Sequence, residues 1–252
     1  MGKIKVLNIF IDNLSTLELL QQLDEKGGIV FTPNVDHLMM LQKDRDFYNT
    51  YKFADYRVCD GQILMYCLHL LGTPVKEKIS GSDFLPTFYQ YHKYNPNIKI
   101  FLLGAAAGVA DKARENINIK VGREIVVGTH SPSFGFEKNE EEGAAIVDLI
   151  EKSGANVLAV GVGAPKQEKW IIKYREQLKS IKIFLAIGAT IDFEAGHKKR
   201  APKWMSNAGL ETPYRLLSEP RRLWKRYLIN DPPFLGLALK QKINIYQNPF
   251  TD

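Results

Sequence analysis

Asp60 is the acid in this 252-residue chain whose setting best suits chemistry. It closes the short run Tyr56–Cys59 and precedes Gly61, which has no side chain to keep a ligand from the backbone. A carboxylate ending a buried strand can take a proton from an incoming hydroxyl. The same residue can instead cap the helix that the pattern predicts from Gln62 to Leu71. Two glycine turns suggest a second kind of chemistry. The stretch beginning at Ile100 is strand, Gly104-x-x-x-Gly108, helix; that beginning at Val157 is strand, Gly161-x-Gly163, helix. Free N–H groups at a helix start, with the positive end of its dipole, suit a phosphate. Such turns can equally serve only to let helix and strand pack closely. Neither is a full G-x-G-x-x-G, and no Walker lysine follows.

Other chemistries find little support. His37, His69, His92, His130 and His197 have no metal-ligand spacing. Asp44 and Asp46 spell D-x-D, but inside a helix predicted from Val35 to Phe53, where positions i and i+2 diverge; a solvated helix face is expected there. No metal and no cofactor are expected. Cys59 and Cys67 form no disulfide framework, and no G-x-S-x-G elbow is present. The missing dinucleotide fingerprint and the absence of a Tyr-x-x-x-Lys pair speak against an NAD-dependent epimerase or dehydrogenase.

These residues need a frame, and the chain supplies an alternation of short apolar runs and amphipathic stretches. Strands are expected at Lys5–Phe10, Ile29–Thr32, Tyr56–Cys59, Lys99–Leu103, Glu124–Gly128, Asn156–Val162 and Lys182–Ile187. Ser15-x-x-Glu18 is a capping box for the first helix. The pattern predicts an α/β fold: a Rossmann-like, mostly parallel sheet with helices on both faces. In such sheets ligands bind beyond the carboxyl ends of the strands. That rule gathers Thr32–Asn34, Asp60-Gly61, Gly104–Gly108, Gly161–Glu168 and Gly188–Asp192 at one edge.

Beyond Ala189 the alternation stops. The thirty residues from His197 to Arg226 hold nine Lys/Arg and two Glu, about +7, against +6 for the whole chain. Trp204, Leu217, Leu223 and Trp224 are threaded among the charges. Interleaved basic and apolar side chains suit an anionic lipid surface or a nucleic acid. No RNP, KH or zinc pattern accompanies them, so nucleic acid is not expected as a partner. A non-catalytic protein that docks a membrane complex through this segment is a further alternative. The expected division is 1–195, an α/β nucleotide-binding catalytic domain, and 196–252, a basic helical C-terminal appendage whose residues 197–235 meet the membrane. No apolar run approaches the roughly 20 residues needed to span a bilayer, and the N-terminus lacks a secretory cleavage pattern. The expected location is cytoplasmic, peripheral at the inner face of a bacterial membrane; the apolar stretch after Pro232 can cover a core edge, touch lipid or meet a second copy in a homo-oligomer.

The motifs TPNVDHL, CDGQ, LLGTPVKEKISGSDFLP, GVGAPKQEKW and GATIDFEAGHKKRAPKWMSNAGLE, followed by YRLLSEPRRLWKRYL, occur in this order. Together they resemble the WecG/TagA/CpsF family, glycosyltransferase family 26, from about residue 5 to residue 235. The resemblance implies an inverting, metal-independent transfer from a UDP-sugar, often of N-acetylmannosamine or its uronate, to a polyprenyl-diphosphate-linked sugar. It implies that Thr32 and Asn34 line the sugar pocket and that Asp60 is the general base. It implies that Lys166, Gln167 and Glu168 form the P-K-Q-E motif, with Gln167 touching the donor, and that Asp192 lies near the nucleoside. Arg215, Arg222 and Arg226 fall on the family's C-terminal arginines, in a tail that folds over the site. Three departures stand out. Cys59 replaces the alanine of the family's A-D-G motif, a small-for-small change that leaves the base in place. Lys78 replaces an arginine and loses its bidentate fork, and Thr212-Pro213 follows Glu211 where a tryptophan is common.

Overall fold

The computed structural model describes residues 2–202, 205 and 210–251; residues 203–204 and 206–209 and the Arg222 side chain lie outside the described residues, and with them the expectations for Trp204 and Arg222.

At the N-terminus the buried residues change parity, Ile4 and Val6 and then Ile9 and Ile11. A single strand would put the second pair on the wrong face. The expected strand Lys5–Phe10 is therefore two, β1 (Lys3–Val6) and β2 (Ile9–Asp12), paired antiparallel with Lys3 opposite Asp12. Leu7, at φ 49°, makes the turn. This hairpin stands outside the main sheet.

The main sheet has six parallel strands: β3 (Gly28–Phe31), β4 (Tyr56–Arg57), β5 (Ile100–Gly104), β6 (Val126–His130), β7 (Val157–Gly161) and β8 (Ile183–Ala186), in the order β4-β3-β8-β7-β5-β6. Strand residues alternate between two cores. Phe31, Phe101, Leu103, Leu158, Val160 and Phe184 face one; Val30, Ile100, Leu102, Val157 and Leu185 face the other. The first is covered by α2 (Val35–Met40), α3 (Arg45–Tyr51), α4 (Gln62–Leu70), α7 (Glu140–Lys152) and α8 (Lys166–Tyr174). The second is covered by α1 (Thr16–Lys26), α5 (Gly81–Tyr91), α6 (Val109–Val121) and α9 (Thr190–Glu194). Each fully buried Leu, Ile, Val or Phe contributes about 1.5–3 kcal/mol, so both faces must be covered for the sheet to persist. This is the Rossmann-like α/β architecture the alternation predicts.

Two local departures matter for the site. The expected helix Val35–Phe53 breaks in two because Asp44 caps α3, its side chain accepting from the Phe47 N–H at 2.9 Å. Asp44 and Asp46 both pair with Lys169 Nζ, at 2.9 and 2.7 Å, and Asp46 stays mostly exposed, so the D-x-D lies on a solvated face, as expected, with Asp44 also serving as a cap. Asp60 is not the cap of α4: Gly61 holds that position at φ 93°, with no side-chain cap bond.

After α9 the chain crosses the carboxyl edge of the sheet as α10 (Glu211–Ser218), α11 (Pro220–Lys225), a π-helical turn (Arg226–Asn230) and α12 (Pro233–Lys242). Leu223, Phe234 and Ala238 anchor it by burial. α12 ends on the N-terminal hairpin, where the Gln241 side chain accepts from the Leu7 N–H at 2.6 Å and donates to the Lys5 carbonyl at 2.9 Å. Leu217, Trp224, Leu228, Leu235 and Leu239 remain exposed. No helix among the described residues is long and apolar enough to cross a membrane.

Candidate active site

Parallel strands all deliver their carboxyl ends to one edge, and a cleft of about 800 Å³ opens there beneath the tail. Thr32, Asn34, Asp60, Gly161, Gly163, Lys166, Gln167, Asp192, Arg215 and Arg226 all line it. Gly104 does not line it, although the next residue, Ala105, does. Lys78 lines a neighbouring cavity of about 920 Å³ between α1 and α5, where Arg200 pairs with Asp83 at 2.6 Å; its charge still reaches Asp60.

Three glycines let the central strands converge. A Cβ on Gly104 would lie 2.5 Å from the Gly161 carbonyl oxygen, and one on Gly161 would lie 2.7 Å from that of Gly188. Gly104 also sits at φ +136°, where only glycine is unstrained. So Gly104 serves close packing, whereas Gly163, at φ +83° with open space around it, shapes the turn facing the cleft. Gly104→Ala is expected to destabilise the fold by about 2–4 kcal/mol, read from the urea midpoint, whereas Gly108→Ala, with open space around its Cβ, should meet only the milder strain of a positive φ.

Gln167 ties two of these turns together. Its side-chain oxygen accepts from the Gly163 N–H at 3.3 Å and the Gly188 N–H at 3.1 Å, while its nitrogen donates to Glu168 Oε1 at 2.8 Å. Glu168 is fully buried, and burial pushes its carboxyl up to about 7 despite the Gln167 bond. By fixing which end of the Gln167 amide is the acceptor, Glu168 sets the spacing of the β7 and β8 turns. Lys166, at the start of α8, is 2.8 Å from Glu137 Oε1 and lies over the Phe134 ring at 5.0 Å.

Asp60 is half-buried on the cleft floor, its N–H held by the Pro33 carbonyl at 2.9 Å. Burial pushes its carboxyl up to about 6, and the Glu211 carboxylate adds to the rise. Arg215, a hydrogen bond from Asn34 and Lys78 oppose it. Asn34 therefore has three tasks: it caps α2 through the His37 N–H, bonds Asp60, and accepts from Arg226 Nη2 at 3.3 Å. His37 is buried and held neutral, its pKa lowered to about 3 by burial and by Arg226; its Nδ1 meets the Tyr51 hydroxyl at 2.6 Å.

Arg226 ties the tail across the cleft through Asp36 and Asn34, and further charge pairs brace the tail internally. Arg226 Nε lies 3.4 Å from Asp36 and 3.8 Å from Asp231. Lys198 is 3.3 Å from Glu219, and Arg215 Nη1 is 3.8 Å from Glu211. The site thus joins a carboxylate of raised proton affinity to cations carried by the tail. That set can deprotonate a hydroxyl while neutralising a departing phosphate. His37, Phe134, Lys198 and Glu211 also line the cleft and were not singled out as site residues by sequence. His37, Lys198 and Glu211 lie inside the quoted motifs, which is the available signal; Phe134 has none.

A family profile described as "Glycosyl transferase WecG/TagA/CpsF family" matches residues 4–248. Among curated relatives, a protein of Staphylococcus aureus (strain MRSA252) is 26% identical over 251 residues, covering 97% of this chain and 95% of its own length. One of Bacillus spizizenii is 27% identical over 236 residues, covering 94% and 87%. One of Bacillus subtilis (strain 168) is 26% identical over 249 residues, covering 98% and 92%. All three are named N-acetylglucosaminyldiphosphoundecaprenol N-acetyl-beta-D-mannosaminyltransferase.

Proposed function

Because this chain belongs to the WecG/TagA/CpsF family and is a glycosyltransferase, we propose that its cleft moves N-acetylmannosamine, or a closely related hexose or uronate, from a UDP-sugar to a polyprenyl-diphosphate-linked sugar in cell-wall or surface-polysaccharide synthesis. The observation that carries this reading is the meeting of Asp60 with Arg215 in one cleft at the carboxyl edge of the sheet. The acceptor oxygen attacks the anomeric carbon as the bond to the UDP oxygen breaks. The acceptor proton passes to Asp60, the electron pair of the broken bond leaves with the β-phosphate, and the anomeric configuration inverts. Asn34 and Thr32 border the sugar, and Asp192 borders the nucleoside. The start of α8 with Lys166, together with Arg215 and Lys198, offsets the diphosphate charge without a metal ion. The exposed apolar residues of the tail, set among its basic ones, hold the enzyme against anionic headgroups, where a lipid-linked acceptor resides.

Calorimetry with UDP in EDTA, followed by transfer from UDP-N-acetylmannosamine to a short prenyl-diphosphate-linked N-acetylglucosamine, tests this. Micromolar UDP binding in EDTA and measurable transfer are expected. A strict need for a divalent ion would overturn the metal-free mechanism, and indifference to all uridine nucleotides would overturn the donor assignment.

A further inference from the structure

Phe134 stands where folding does not need it. Three phenylalanines line the main cleft among the described residues. Phe136 is buried against Trp170, the ring centroids 6.3 Å apart, and Phe193 is half-buried, but Phe134 is fully exposed. A ring left in water gains nothing from the hydrophobic effect, and a single exposed apolar side chain takes its meaning from its setting. Here the setting is a loop pinned on both sides of the ring. Before it, the Ser131 hydroxyl donates to the Ala106 carbonyl at 3.0 Å, and the Ser133 N–H and hydroxyl donate to the Glu142 carboxylate at 2.7 and 2.5 Å. After it, Gly135 turns at φ 88° and Phe136 enters the core. The braces hold a bare aromatic face at the cleft.

We propose that Phe134 is the platform on which the base of the nucleotide donor stacks. This rests on the reading of the cleft as a nucleotide-sugar site. Sheet order sets which end of the donor reaches the ring. Asp60 follows β4 and Phe134 follows β6, the two outer strands, which stand five spacings of about 4.8 Å apart. A donor with its anomeric carbon at Asp60 therefore runs along the edge, past the β8 and β7 turns, with its nucleoside toward β6. Lys166 marks the join between phosphate and base. It opens α8, and its ammonium lies 5.0 Å from the centre of the Phe134 ring. Ala105 and Ala106, on the β5 turn to which Ser131 is bonded, line the cleft with nothing larger than methyl groups, which leaves width for a flat ring. Charge points the same way. The chain just after the ring, Glu137 to Glu142, holds four glutamates and one lysine. That rim repels phosphates and anionic headgroups and accepts a neutral heterocycle. Every base has a π-face, so such a platform supplies affinity for the nucleoside and no choice of uracil.

The test uses the full chain in EDTA. UDP and inorganic pyrophosphate are titrated by calorimetry into the unaltered protein, Phe134→Ala, Phe134→Leu and Phe134→Trp. The ring is exposed, so all four should melt together. Phe134→Ala should weaken UDP roughly 5- to 100-fold and leave pyrophosphate unchanged; the donor KM should rise while kcat stays within a few-fold. Phe134→Leu, which keeps apolar bulk without a ring face, should lose most of that affinity, and Phe134→Trp should hold UDP at least as tightly as phenylalanine does. Equal UDP affinity with and without the ring overturns the proposal. So does an equal loss for UDP and pyrophosphate, which would mean that the ring acts by placing Lys166. If pyrophosphate binds too weakly to titrate, the leucine and tryptophan variants decide. If Phe134→Ala loses affinity for phosphatidylglycerol vesicles and keeps it for UDP, the ring is a lipid anchor and the proposal falls. Should the unaltered protein ignore UDP, the donor assignment has failed. The stack is then decided on ADP, CDP and GDP: weaker binding to Phe134→Ala of whichever is held supports it, and binding of none overturns it.

Discussion

Asp60→Asn is expected to lower turnover roughly 100- to 10,000-fold, the range a positioned general base supplies, while leaving the fold and UDP affinity in place. Asparagine matches the shape and keeps a hydrogen-bonding partner for Asn34, so the loss reports on proton transfer rather than collapse. The pH profile gives a second signature. The ionised carboxylate is the working form, and its proton affinity is displaced to about 6. The rate should therefore level off above that pH and drop about tenfold per unit below it. The asparagine variant has no such group, so its residual rate should lose that inflection. Stopped-time assays of UDP release across pH check both, with a thermal melt for folding. Turnover within a few-fold of the unaltered protein would remove Asp60 from the reaction.

Arg215→Ala carries the second large effect. Arg215 bears charge into the cleft from a tail helix and also lowers the proton affinity of Asp60. Removing one preorganised partner of a developing anion costs about 100- to 1,000-fold in kcat, and UDP affinity should weaken with it. The acid limb should also move upward, because a stabiliser of the Asp60 carboxylate is gone. Arg215→Lys should restore part of the binding and less of the rate, since an ammonium lacks the planar fork. If UDP affinity and kcat both hold and only vesicle binding falls, Arg215 belongs to the membrane surface and not to the chemistry.

Much of this site is legible in the sequence because a parallel sheet makes strand ends converge. Once Thr32, Asp60, Gly161 and Gly188 are placed after strands, their meeting follows from topology. The N-terminal hairpin was hidden because a strand pattern locates apolar residues and does not flag a change of parity at Leu7. The break at Asp44 was overridden by helical periodicity, although an aspartate before an apolar turn is a capping signal. Gln167 lies in a motif, yet that its oxygen braces Gly163 and Gly188 depends on how far apart the two turns stand, which no local pattern encodes. Lys78 shows the reverse problem: sequence places it next to the site, and the fold turns it into the neighbouring cavity while its field still reaches Asp60.

The contact of Gln241 with Leu7 and Lys5 bears on how the tail can move. Clipped to the first hairpin at one end and continuous with α9 at the other, the basic segment is a bridge with two abutments rather than a free arm. It can bow away from the cleft only by drawing on slack between them. Loss of the last dozen residues should therefore loosen the closure over Asp60 from a distance, without removing a single group that touches the substrate.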